Sequence, residues 1–109
     1  MTDIIIYTTP DKLLHKQGKL KDDDDYSETG EYYWELRNLP KKLKELDKIW
    51  FATKGFIRGY FVVDRIEYRE NVEIIFNCNS WKPLEDDYPI THFQGFKYAD
   101  EMGEKHGKN

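Results

Sequence analysis

Cysteine is almost missing from this chain of 109 residues. Cys78 stands alone, so no intramolecular disulfide can form and no cysteine cluster can hold zinc. Its neighbours in "IIFNCN" read as a strand, which makes a buried structural thiol the expectation and a nucleophile the alternative. Nowhere do 18 apolar residues follow one another, the minimum that a membrane-spanning helix asks for. The opening "MTDIIIY" has no basic region ahead of a long apolar run. Cytoplasmic residence and no membrane partner are therefore expected. No phosphate loop, Ser-His-Asp arrangement or metal-ligand spacing can be assembled, so neither a cofactor nor a metal site is expected. An excess of positive charge is absent too: the net charge is −4, which counts against a protein that coats long stretches of phosphate backbone.

What is abundant is aromatic and charged. Aromatic residues make up 16% of the chain. Each ring buries a large area, so one small domain can close around them without a metal or crosslink. A single domain over residues 1–99 is expected, with 100–109 a flexible tail that has little to bury. The charge is unevenly spread. Between Leu20 and Glu31 six acidic residues face a single Lys21, whereas between Arg37 and Arg58 seven basic residues face only Glu45 and Asp47. A local basic surface is compatible with the acidic total.

Along the chain, "DIIIYTT" is a β-branched run and predicts a strand. In "TPDKLLHKQG" Thr9 can cap, Pro10 suits the first helical position and Gly18 the exit, so a helix of two turns is predicted. The four adjacent aspartates Asp22 to Asp25 repel one another and predict a mobile loop; they lack the alternating spacing of a calcium loop. "EYYWELR" alternates, with Tyr32, Trp34 and Leu36 on one face and Tyr33, Glu35 and Arg37 on the other. A short helical turn is predicted from about Pro40. "KIWFATK" and "FIRGYFVVDRIEY" flank Lys54-Gly55, where glycine supplies the positive φ of a tight hairpin. Ile57, Gly59, Phe61 and Val63 are then expected on one face, with Gly59 marking a bend or bulge. "NVEIIFNC" should turn Val72, Ile74, Phe76 and Cys78 inward. After a loop at "NSWKPLEDDYP", the last strand is predicted over "ITHFQGFKY". The fold class is α+β, mainly β: about six strands with one or two short helices, spaced as in a small barrel.

The order of these segments is similar to that of a known family. A strand, a helix, then Gly30, Glu35 and Arg37 in "GEYYWELR", a basic turn, and "DKIWFATKGFIRGYFVV" resemble the ASCH branch of the PUA-like superfamily, over roughly Ile4 to Val63. Leu46-Asp47 stands where Gly-Asp is usual. The resemblance implies a pseudo-barrel with a cleft between the sheet and the first helix, a cleft that receives RNA or a single, sometimes modified, nucleobase. Some small ASCH proteins are instead amidohydrolases acting on an acylated cytidine. Their Lys and Thr positions hold Tyr32 and Glu35 here, so that chemistry is not expected in its usual form.

Candidate binding residues follow. Glu35 and Arg37 share a strand face and either pair with each other or offer an acceptor and a forked donor to a ligand edge. Arg58, on a strand taken to be adjacent, could complete an anion clamp, with Lys54 nearby in the hairpin. Trp34 and Trp50 read as core. Trp81, in a loop and followed by Lys82, is the candidate stacking platform, with packing as a lid over a barrel end the alternative. His92 and Gln94 could face a cleft, though His92 lacks a partner acid at recognisable spacing and reads as a hydrogen-bonded strand residue. His15 reads as a surface residue. The leading expectation is a binding module for RNA, single-stranded nucleic acid or a modified nucleoside. The alternatives are an enzyme using Glu35 as base on a modified nucleoside, and a protein-interaction module whose acidic runs at 22–25 and 85–87 meet a basic protein.

Overall fold

The computed structural model describes residues 2–99; the tail expected at 100–109 lies outside them. The β-branched run forms β1 (Ile4–Tyr7), and α1 (Pro10–Lys16) follows at once. The Thr9 side chain accepts the Lys12 N–H at 3.3 Å, and Pro10 opens the helix where its missing N–H costs nothing. The remaining strands are β2 (Glu31–Leu36), β3 (Lys48–Thr53), β4 (Phe56–Tyr68), β5 (Val72–Asn77), β6 (Lys82–Pro83) and β7 (Phe96–Tyr98), with a 3-10 turn over Cys78–Ser80. Lys54 (φ +49°) joins Gly55 (φ +88°) in the left-handed region. Both central residues of this two-residue hairpin loop are thus positive, the combination whose twist matches the flanking strands.

The seven strands form one mixed sheet in the order β2-β5-β4-β3-β1-β7, with β6 alongside β4. β1 runs parallel to β3, and the other pairs are antiparallel. The mainly β, α+β class is what this chain forms. The sheet is open: β2 and β7, at the two ends of the order, do not pair. It nevertheless bends around one inner core. Ile4 and Ile6 of β1, Tyr32 and Leu36 of β2, Phe51 of β3, Phe61 and Val63 of β4, and Ile74 and Phe76 of β5 share a single buried cluster, to which α1 adds Leu13.

Two bulges in β4 make the bend. Its first half pairs with β3 and its second half with β5. At the first bulge Phe51 pairs with Gly59 but Ala52 pairs with Ile57, leaving Arg58 as the extra residue. This corrects the expected alternation. Gly59, Phe61 and Val63 face the inner core, while Ile57 turns to the opposite side and packs with Ile5, Ala52 and Ala99. At the second bulge Asp64 is extra, between the pairs Val63–Phe76 and Arg65–Ile75. Strict alternation from Val63 would turn Arg65 inward; the slip of one residue puts Ile66 against the core instead.

Two further expectations are revised. The chain after Pro40 makes turns and no helix, with Leu43 N–H bonded to the Pro40 carbonyl at 2.9 Å. The last strand covers only Phe96–Tyr98, and its expected first part is a covering segment. Residues 84–93 lay Leu84, Tyr88, Ile90 and Phe93 over Ile5, Ala52 and Ile57. They are tied down by Ile57 N–H to the Tyr88 carbonyl and Ile90 N–H to the Gly55 carbonyl, both at 2.9 Å. An apolar sequence can cover a sheet as well as extend it, and this segment does the former.

Candidate functional site

α1 turns Leu13 into the core and its other side outward. Asp11, Lys12, His15 and Lys16 recur at one-helical-turn spacing and form one wall of a cleft of about 500 Å³. Leu20, Asp23 and Asp25 form the second wall, and Tyr33, Trp34 and Glu35 of β2 the third. The aspartate run, expected to be a mobile loop, forms a loop of successive turns. Asp23 N–H bonds to the Leu20 carbonyl at 3.2 Å, Tyr26 N–H to the Asp23 carbonyl at 3.0 Å, and Asp25 N–H to Asp23 Oδ1 at 3.1 Å. His15 Nδ1 lies 3.2 Å from Asp23 Oδ2, a close contact without an aligned hydrogen bond. His15 is therefore half-buried between Asp23 and an edge-on contact with Tyr32 at 5.1 Å, not on the open surface.

The aromatic wall is held from behind. Trp34 packs edge-on against Phe51 of the inner core at 5.3 Å, while Tyr33 is 47% exposed. Lys16 Nζ sits 5.0 Å from the Tyr33 ring centre and 5.8 Å from that of Trp34. Burial lowers the Lys16 pKa below the ordinary lysine value, partly opposed by Asp25 and Asp23, while Lys12 pushes the same way as burial. The cleft thus joins an aromatic wall, two ammonium groups and the carboxylates of Asp11, Asp23, Asp25 and Glu35. Among the described residues no group of three or more His, Cys, Asp or Glu side chains could hold a metal ion.

Of the ligand-binding candidates read from the sequence, Glu35 alone lines this cleft, beside Asp23 and Asp25 of the acidic run. Arg37 is exposed just beyond the end of β2 and makes no ion pair with Glu35 among the described residues; the residue opposite Glu35 is Glu73 of β5. Arg58 is not on a strand next to β2, because β5 lies between, and it belongs to the half of β4 that pairs with β3. Its Nε donates to the Thr53 carbonyl at 3.2 Å and to Thr53 Oγ1 at 3.0 Å, so it clasps the hairpin it belongs to. Lys54 is exposed at the tip of that hairpin, and Lys82 lies on β6 opposite Tyr60. Trp81 is half-buried against Phe61 at 4.9 Å and lies over Gly59, away from the cleft lining. Gln94 is exposed just after the covering segment, and His92 packs edge-on against Tyr7 at 4.9 Å. Cys78 is half-buried in the 3-10 turn after β5 and packs on the inner core.

The candidates therefore separate into Glu35 at the cleft and Lys54, Arg58 and Lys82 around the first half of β4. Lys16 and Tyr33 are not among the residues that the sequence singles out, and Trp34, read as core, both packs on the core and lines the cleft. The recurrence of Asp11-Lys12 and His15-Lys16 along one side of a short helix was the available signal. On the outer face of β2, β5 and β4, Arg65 donates to both Glu31 oxygens at 2.9 Å, to Asp64 at 2.8 Å and to Glu67 at 3.0 Å. The hydrogen bond from Arg65 holds the Glu31 carboxyl below the usual carboxylate range. This network ties β2 to β4 across β5 at an open surface where each ion pair is worth little alone. No family model matches the chain, and no curated protein or solved structure matches it.

Proposed function

We propose that this chain is a nucleobase-binding module with a PUA-like arrangement, and that its ligand is a single base or nucleoside in the cleft between α1 and β2. The observation that carries this reading is the cleft itself. It lies between the first helix and the sheet, where the ASCH resemblance puts the ligand, and it is of the size and mixed lining of small-molecule sites. Leu46 adds support. It takes φ +73° immediately before Asp47, a left-handed conformation at the position where the resembling family has glycine. The carboxylates around the cleft favour a single base over a long RNA strand, whose phosphates need a basic track. The basic residues at 41–54 lie outside the cleft lining.

Calorimetric titration with cytidine, adenosine, guanosine, uridine and short single-stranded RNA tests the reading. Saturable binding of at least one nucleoside is expected. Tyr33→Ala, an exposed change, should weaken it by roughly 5- to 100-fold, because base–aromatic stacking is worth about 1–3 kcal/mol. Absence of saturation by every nucleoside at about 1 mM, the affinity of a bare contact of about 4 kcal/mol, would remove the proposal.

A further inference from the structure

β2 has an open edge, and the register shows which of its main-chain groups face outward. The Cys78 N–H donates to the Gly30 carbonyl at 2.8 Å, so these two form a hydrogen-bonded pair just ahead of the Glu31–Asn77 pair. Bonded and non-bonded pairs alternate along an antiparallel ladder. Tyr32–Phe76, Trp34–Ile74 and Leu36–Val72 are therefore bonded pairs. Glu31, Tyr33 and Glu35 turn their N–H and C=O groups away from β5. Thr29 Oγ1 takes up the Glu31 N–H at 3.4 Å. For Tyr33 and Glu35 no hydrogen bond of these groups occurs among the described residues. That three successive residues, Tyr33, Trp34 and Glu35, all line the cleft follows from the same geometry: the cleft opens onto the edge of the strand and not onto one of its faces.

The Tyr33 carbonyl and the Glu35 N–H, two residues apart on one extended edge, present an acceptor beside a donor. An amidine edge, with an exocyclic amine next to an unprotonated ring nitrogen, complements this pair. A carbonyl in place of the amine would face the Tyr33 carbonyl with lone pairs and no proton to share. Asp11, Asp23 and Asp25 stand in the opposite walls against Lys12 and Lys16, and Lys16 is already engaged with the two rings. That balance disfavours a polyphosphate.

We propose that the open edge of β2 is the recognition element of the cleft: the Tyr33 carbonyl and the Glu35 N–H read the amidine edge of an adenine or cytosine base carried by an unphosphorylated nucleoside. The inference rests on the nucleobase reading and names the base class and the groups that select it.

The test is an amide chemical-shift titration of the 15N-labelled full chain with adenosine, cytidine, inosine, uridine and ATP. Adenosine or cytidine should shift the Glu35 and Tyr33 amides and bind at least roughly ten-fold tighter than inosine or uridine, the loss expected when a hydrogen bond is replaced by two facing acceptors. ATP should bind more weakly than adenosine. Glu35→Pro, which removes this outward N–H without breaking a ladder bond, should abolish the preference while leaving the amide spectrum away from the cleft unchanged. If all nucleosides bind alike, or bind without moving the Glu35 amide, the edge assignment falls and the nucleobase reading stands. If no nucleoside binds, both fall. If a Lys/Arg-rich peptide shifts the same amides and no nucleoside does, both fall and the edge is a strand-addition site.

Discussion

Leu46 is 74% exposed and sits at φ +73°, an arrangement that wastes an apolar side chain and strains its backbone. The position is set by its neighbours: the Leu46 N–H bonds to the Val63 carbonyl and the Val63 N–H to the Asp47 carbonyl, both at 2.8 Å. Left-handed geometry costs a non-glycine residue on the order of 1 kcal/mol, and little packing is lost on truncation. Leu46→Gly is therefore expected to raise the unfolding free energy by about 0.5–1 kcal/mol in urea denaturation, in spite of removing a leucine. An unchanged or lower midpoint would show that the side chain contributes more than its exposure suggests. Gly59 behaves in the opposite way. A Cβ there would lie 2.7 Å from Trp81 Cζ2 and 2.9 Å from Pro83 Cα, and closer still to the Lys82 carbonyl. Because backbone atoms cannot rotate away, Gly59→Ala should cost about 2–4 kcal/mol or detach β6. Loss of the folded-state Leu84 amide signal, whose N–H bonds to the Arg58 carbonyl next to β6, would report the detachment.

Among the elements, β4 decides the architecture. Thirteen residues serve two sheet halves because Arg58 and Asp64 are each extruded as the extra residue of a bulge. Each bulge adds twist and shifts the inward set by one. Ile57 shows the consequence most clearly. It is 2% exposed although it faces away from the inner core, because the segment 84–93 covers it. Ile57→Ala is expected to destabilise by about 2–4 kcal/mol, as in any buried aliphatic truncation. A cost below about 0.5 kcal/mol in thermal or urea unfolding would mean that this outer cover is not a packed layer. The edge strand β2 carries the complementary lesson. Its alternation was readable, with Tyr32 and Leu36 buried and Tyr33, Glu35 and Arg37 exposed. That it has only one neighbour, and so offers main-chain groups to a cleft, was not.

For the molecule as a whole, two unequal cores predict unequal stability. The inner cluster joins α1, β1, β2, β3, β4 and β5, whereas the outer one rests on Ile5, Ala52, Ile57 and Ala99 under a segment without regular pairing. Local opening is expected to follow that difference. In native-state hydrogen exchange the amides of Ile57 and Ile90, which bond to or from the cover, should exchange through a lower-energy opening than those of Ile49, Phe61 and Ile74. Equal opening energies would make the two layers one cooperative unit.

The local elements were legible because local rules govern them. Thr9-Pro10 starts the helix, Lys54-Gly55 turns the hairpin, and period-two alternation separates the two faces of β2. Legibility of the site stopped at Glu35. The expected partners Arg58, Lys54 and Lys82 belong to the far side of β5, and Trp81 is committed to Phe61 and Gly59.

The sequence by itself determined the helix that Thr9 and Pro10 start, the Lys54-Gly55 hairpin and the mainly β class, since propensity, capping and turn chemistry act over a few residues. Only the tertiary structure decided where β4 slips register, which strand was left with an open edge, and that Lys16, Tyr33 and Glu35 meet around one cleft. Those outcomes depend on contacts between residues far apart in the chain. No local period encodes them: a bulge forms where the sheet must bend around Phe51, Phe61 and Phe76, and an edge stays open where no other strand arrives.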